Sequence, residues 1–114
     1  MSLEQRKYTR VPIEERVELR LREDASLQAA CVNISRTGLL CETDAFMSPR
    51  TTVALQLNIP FGFDSYNFRC EGIVVRSDRR TGRYLIGLQF SDLPTEDSQA
   101  LDTFLRLNEG APRG

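Results

Sequence analysis

The sequence contains no histidine, one lysine (Lys7) and three cysteines without C-x-x-C spacing. Without histidine the chain lacks the side chain whose charge most readily changes near neutral pH and the commonest metal ligand. No activated-nucleophile motif or paired-carboxylate pattern takes its place, so the chain reads as a non-enzyme that needs no metal or other cofactor. Cys31, Cys41 and Cys70 are odd in number, which argues against a disulfide framework, and they lack metal-ligand spacing. They read as reduced, mostly buried thiols that act as small apolar residues.

A long apolar run is also missing. No stretch suits a bilayer span, and the N-terminus has no apolar signal-peptide core, so a cytoplasmic protein without membrane insertion is expected. The formal net charge is −1, which leaves no global basic field to draw in DNA, RNA or membranes. A single-stranded nucleic-acid binder would interleave basic and aromatic residues along one strand face. Here the aromatics fall mostly at inward or loop positions.

What is present suits one soluble domain. The chain has 114 residues, 40% of them apolar and 27% charged, enough for a single core. Basic character is local: Arg6, Lys7 and Arg10 cluster near the start with only Glu4 close by. Arginine supplies nearly all the positive charge. That suits planar, bidentate recognition, although a GC-rich coding sequence produces the same bias.

Residues 1–10 lack apolar periodicity and read as a flexible arm, and the folded part begins at Val11 and Pro12. Val17, Leu19 and Leu21 alternate with charged residues as a half-buried strand, and Glu23–Ser26 is a turn. Leu27–Ser35 is a second strand, with Ala30, Val32 and Ile34 on an apolar face and Cys31, Asn33 and Ser35 on a polar one. After Gly38 the chain returns through Leu39–Thr43, with Leu39 and Cys41 inward and Glu42 outward. Met47–Arg50 is a connector. Val53, Leu55, Leu57 and Ile59 mark the cleanest strand, broken at Pro60–Asp64, where Phe61 and Phe63 either cap the core or face a partner. Phe68–Arg76 is a strand, Ser77–Gly82 a charged turn, and Tyr84, Ile86, Leu88 and Phe90 a last strand.

Thr95 is the expected N-cap of a helix with acids in its first turn. Leu101, Phe104, Leu105 and Asn108 share one face of that helix, and a flexible tail closes the chain at 109–114. Six short strands and one terminal helix predict a mainly β fold. Its expected form is a six-stranded antiparallel barrel over residues 11–108, closed by the helix.

Two short patterns stand out: Arg6-Lys7-Tyr8-Thr9-Arg10, and Asn33-Ile34-Ser35-Arg36-Thr37-Gly38. In the second, strand periodicity sets Asn33 and Ser35 side by side. Gly38 can reach positive φ and allows close approach to the backbone. Arg-x-x-x-Arg followed by Asn-x-Ser-x-x-Gly resembles the signature of the PilZ domain, a bacterial β-barrel. Asn33 stands where Asp is more frequent. Ile86-Gly87-Leu88-Gln89-Phe90, Leu93, Leu101 and Phe104-Leu105 resemble the family's last strand and helix, so the likeness covers about residues 5–107.

The resemblance implies a split-barrel receptor for the second messenger cyclic di-GMP, built from six strands and a C-terminal helix. Arg6 and Arg10 match the paired arginines that hold the ligand, and Asn33, Ser35 and Gly38 match the barrel side. Lys7 joins them as a phosphate partner by charge and position, and Arg76 as a strand-end candidate. An arginine fork can pair with guanine O6 and N7 or stack on the base, while Asn33 and Ser35 offer donors and acceptors. The expected mechanism orders the arm on the barrel and presents a surface to an unidentified protein effector. The chain itself is expected as a monomer or weak homodimer. Ligand is bound in this family singly or as a stacked pair, and Gln5, not being arginine, leans towards one. The competing reading is a PilZ-like interaction module that does not bind the nucleotide.

Overall fold

The computed structural model describes residues 10–22 and 25–109. The elements run β1 (Val11–Pro12), β2 (Arg16–Arg22), β3 (Ala25–Ile34), β4 (Gly38–Thr43), β5 (Thr52–Phe61), β6 (Asp64–Arg80), β7 (Arg83–Asp92) and α1 (Thr95–Glu109). Strand order is β3-β2-β5-β6-β7-β4, and pairing of β4 back onto β3 closes a six-stranded antiparallel barrel. The two-residue β1 adds to the end of β3 through Val11↔Ile34 and Pro12↔Asn33.

Alternation drives this closure. Val53, Leu55, Leu57 and Ile59 on β5 are all buried, with exposed residues between them. Val17 and Leu19 on β2, Phe68 and Val74 on β6, and Ile86 and Leu88 on β7 meet them inside the barrel. Burying each such side chain contributes about 1.5–3 kcal/mol. One end is covered by α1, whose Leu101, Phe104 and Leu105 are buried. The Phe104 ring meets Phe61 edge-on at 6.2 Å, so Phe61 caps the core while Phe63, beyond it, is fully exposed. The start of α1 is pinned separately: the Asp97 carboxylate accepts the Arg69 amide at 3.0 Å and the Tyr66 hydroxyl at 3.2 Å.

The expected inward placing of Leu39 and Cys41 holds. The face assigned to the preceding strand does not. Ala29 and Cys31 are buried while Ala30 and Val32 are exposed, yet Ile34 is again inside. A β-bulge between Cys31 and Asn33 adds one residue and reverses the phase. A simple alternation count cannot see such a shift.

The supposed turn at Ser77–Gly82 is also mostly strand. Ser77, Asp78, Arg79 and Arg80 pair with Ile86, Leu85, Tyr84 and Arg83. Only Thr81 and Gly82 turn, at φ 48° and 81°, the positive pair that a two-residue hairpin requires. Charge there marks an outward face, not a break. Met47, expected on a connector, is buried in the core.

Candidate functional site

The site is built on the short link between β3 and β4. The Ser35 amide donates to the Gly38 carbonyl at 2.8 Å, and the Phe90 amide to the Thr37 carbonyl at 2.8 Å. The turn is thereby fixed to itself and to β7. Ser35 lies just past the end of β3 and is buried. Its hydroxyl accepts the Thr37 amide at 3.3 Å, lies 3.3 Å from the Gly38 carbonyl as a donor, and sits 3.5 Å from the Thr37 hydroxyl. Its first role is therefore to organise the turn, a local pattern typical of serine.

Arg10 reaches this turn from outside. Its Nη1 donates to Ser35 Oγ at 3.3 Å. Arg10 is exposed as a residue, but its guanidinium is partly desolvated where it meets Ser35. Its pKa is lowered first by that desolvation and second by the like charge of Arg76, with Cys31 acting the other way. Among the described residues no carboxylate pairs with Arg10. An arginine with no carboxylate partner among the described residues is suited to an anion.

Asn33 and Arg76 belong to one row across the sheet. Successive register partners Asn33, Leu40, Gly87 and Arg76 cross β3, β4, β7 and β6. A Cβ on Gly87 would stand 3.0 Å from Arg76 Cγ, so the arginine stem lies over bare backbone. Nε and Nη2 of Arg76 are held by Asp78 Oδ2 at 3.1 and 2.9 Å. Asn33 Oδ1 is buried and has no hydrogen-bond partner among the described residues, an arrangement that favours a donor arriving from a ligand.

Gly38 allows the close approach expected of it, but not through positive φ. Instead, a Cβ there would collide with the backbone carbonyl of Leu88, so the glycine lets β7 approach β4. Arg6 and Lys7 lie outside the described residues. The structure thus brings Arg10 onto Ser35, seats Arg76 within range of Arg10's charge, and sets Asn33 in the same row as Arg76. Sequence reading missed Thr37, whose hydroxyl faces Ser35, and Gly87, whose bare backbone only cross-strand register reveals.

All three cysteines are buried and free. Burial pushes each thiol up to about 12. Cys31 and Cys41 are direct partners between β3 and β4, just behind the bulge that carries Asn33. Among the described residues no helix is long and apolar enough to cross a membrane.

A closed six-stranded barrel with a helix over one end, carrying an arginine on a polar strand-end turn, defines a narrow class of β-barrel domain. Residues 4–107 match the PilZ domain, and the chain belongs to that family. The solved structures agree on the fold. The inhibitor of motility MotI/DgrA of Bacillus subtilis superposes with a TM-score of 0.78 at 19% identity, over 95% of this chain and 53% of that one. The PilZ domain of Escherichia coli YcgR with c-di-GMP gives 0.72 at 12% identity, covering 92% of each. MrkH of K. pneumonia in its apo state gives 0.72 at 15%, over 89% of this chain and 50% of that one. The chain spans about half the length of MotI/DgrA and MrkH. No curated protein matches the sequence.

Proposed function

We propose that this domain is a receptor for cyclic di-GMP and passes the signal to a protein effector. The observation that carries the reading is Arg10 seated on Ser35, beside Arg76, with no carboxylate among the described residues to neutralise it. Cyclic di-GMP presents two phosphates and two guanine edges, and an arginine fork serves either. The unpartnered Asn33 Oδ1 suits the N–H donors of a guanine edge. Family membership and the solved YcgR PilZ domain with c-di-GMP support the same ligand. Arg6 and Lys7 complete the cationic side in this reading, and the residues before Arg10 are drawn onto the barrel when ligand binds.

Affinity is set by contact energies against the cost of ordering the arm. Each bidentate guanine contact contributes about 1–3 kcal/mol, and micromolar binding needs about 8 kcal/mol net. Ordering each arm residue costs about 1–2 kcal/mol. Arg10 already lies on Ser35, so its own ordering adds little to that cost.

Calorimetric titration of cyclic di-GMP, with GTP as control, tests the proposal against Arg10→Ala and Ser35→Ala. Micromolar or tighter binding by the wild type alone supports it. Absence of heat and of any thermal shift at saturating nucleotide would leave the barrel as an interaction module.

A further inference from the structure

The turn that carries Ser35 has a second attachment. Arg36, between Ser35 and Thr37, turns its guanidinium to α1, where Nη2 lies 2.7 Å from Asp102 Oδ1. The other oxygen, Asp102 Oδ2, lies 3.0 Å from Arg106 Nη2, one helical turn on. The Asp102 carboxylate thus divides its two oxygens between the binding turn and the helix itself. The contact with Arg36 is ionic, not a well-aligned hydrogen bond, since Oδ1 gains no such partner.

We infer that Arg36 and Asp102 are positioning residues that couple the Ser35–Gly38 turn to the C-terminal half of α1. This rests on the cyclic di-GMP reading only for the identity of the ligand that exploits the coupling. Three features support it. The turn is tied together as one unit, because Ser35, Thr37 and Gly38 are bonded to one another. The start of α1 is fixed elsewhere, by Asp97 on Arg69 and Tyr66 of β6. Finally, α1 lies against β1, the strand that immediately follows Arg10, so both halves of the site abut the same helix.

The geometry is that of a lever. Asp97 is the pivot, Asp102 the point of attachment, and the last turn, from Arg106 to Glu109 beyond the buried Leu105, the moving end. That end exposes Leu107 to 68% of its full area. A ligand seated on Arg10 and the turn shifts the attachment point and leaves the pivot in place. The pair is half-exposed, so its worth is modest; the coupling it carries is of that size and by linkage acts in both directions.

Amide hydrogen exchange tests this with and without nucleotide. In the ligand-free protein, Asp102→Asn should speed exchange of the Thr37 and Gly38 amides several-fold, and Arg36→Gln should do the same for residues 106–109. Residues 95–100 should stay unchanged in both variants. A charge-swapped variant that keeps both pairs, Arg36→Asp with Asp102→Arg and Arg106→Glu, should restore the wild-type pattern, a rescue that a purely local packing role does not give. With cyclic di-GMP, wild type should change protection at 106–109, and Asp102→Asn should lose that response while keeping binding within about fivefold. If the two single variants leave the opposite element unperturbed without ligand, the coupling is refuted. If they perturb it but no nucleotide binds the wild type, the coupling stands and the choice of ligand fails.

Discussion

Arg10 and Ser35, 25 residues apart, are joined by a 3.3 Å hydrogen bond from guanidinium to hydroxyl. The serine is buried and already engaged with the Thr37 amide and the Gly38 carbonyl. One hydroxyl therefore shapes the turn and receives the arginine. Removing it should affect both fold and binding, whereas removing the arginine should affect binding alone.

For Arg10→Ala the expected result is a loss of cyclic di-GMP affinity by about five- to 150-fold, the worth of one guanine contact of about 1–3 kcal/mol, with an unchanged melting temperature. Ser35→Ala should weaken binding and also lower stability by about 1–3 kcal/mol, because the Thr37 amide loses its acceptor. Equal melting temperatures for the two variants would show that the hydroxyl does not organise the turn.

Gly38→Ala should destabilise the barrel by about 1–3 kcal/mol or more, as overpacking does. The added methyl meets the Leu88 carbonyl, which is backbone and cannot rotate away. Gly87→Ala meets only the flexible stem of Arg76 and Val75, so its stability loss should be smaller. Urea unfolding of the two variants decides the matter. An equal or reversed ranking contradicts the packing role of Gly38.

The buried thiols predict an alkaline limit. Burial holds Cys31 and Cys41 at about 12 against an ordinary 9.0, so the fold prefers the neutral thiol. Their contribution is complete below pH 9 and is lost as pH rises from 9 towards 12, at about 1.4 kcal/mol per pH unit for each thiol. Urea midpoints measured from pH 8 to 10.5 should fall for wild type. The fall should be shallower for Cys31→Ala/Cys41→Ala. Parallel curves for the two proteins would remove the thiols as the cause.

Phe61 and Phe63 flank the same hairpin glycine but differ in consequence. Phe61 packs on Phe104, and its replacement by alanine should lower stability by about 1–3 kcal/mol. Phe63→Ser should leave the stability within about 0.5 kcal/mol of wild type, since the ring is wholly exposed. Thermal unfolding compares them directly.

The sequence by itself determined the barrel, because period-two alternation on β5 and β7 and a helical face at Leu101, Phe104 and Leu105 can bury their apolar sides in few other ways. It also determined where the polar turn falls, since Asn33, Ser35 and Gly38 lie within a few residues of one another. Only the tertiary structure decided which way the strand before that turn faces. The bulge after Cys31 depends on how β3 fits β4, a relation between segments that local alternation does not encode.

The same holds for Gly38, whose reason is the Leu88 carbonyl on a strand 50 residues away. Arg36 belongs here too, its partner being Asp102 on the final helix. Local pattern specifies an element because neighbouring residues share its geometry. Close approach and charge pairing belong to residues that only folding brings together.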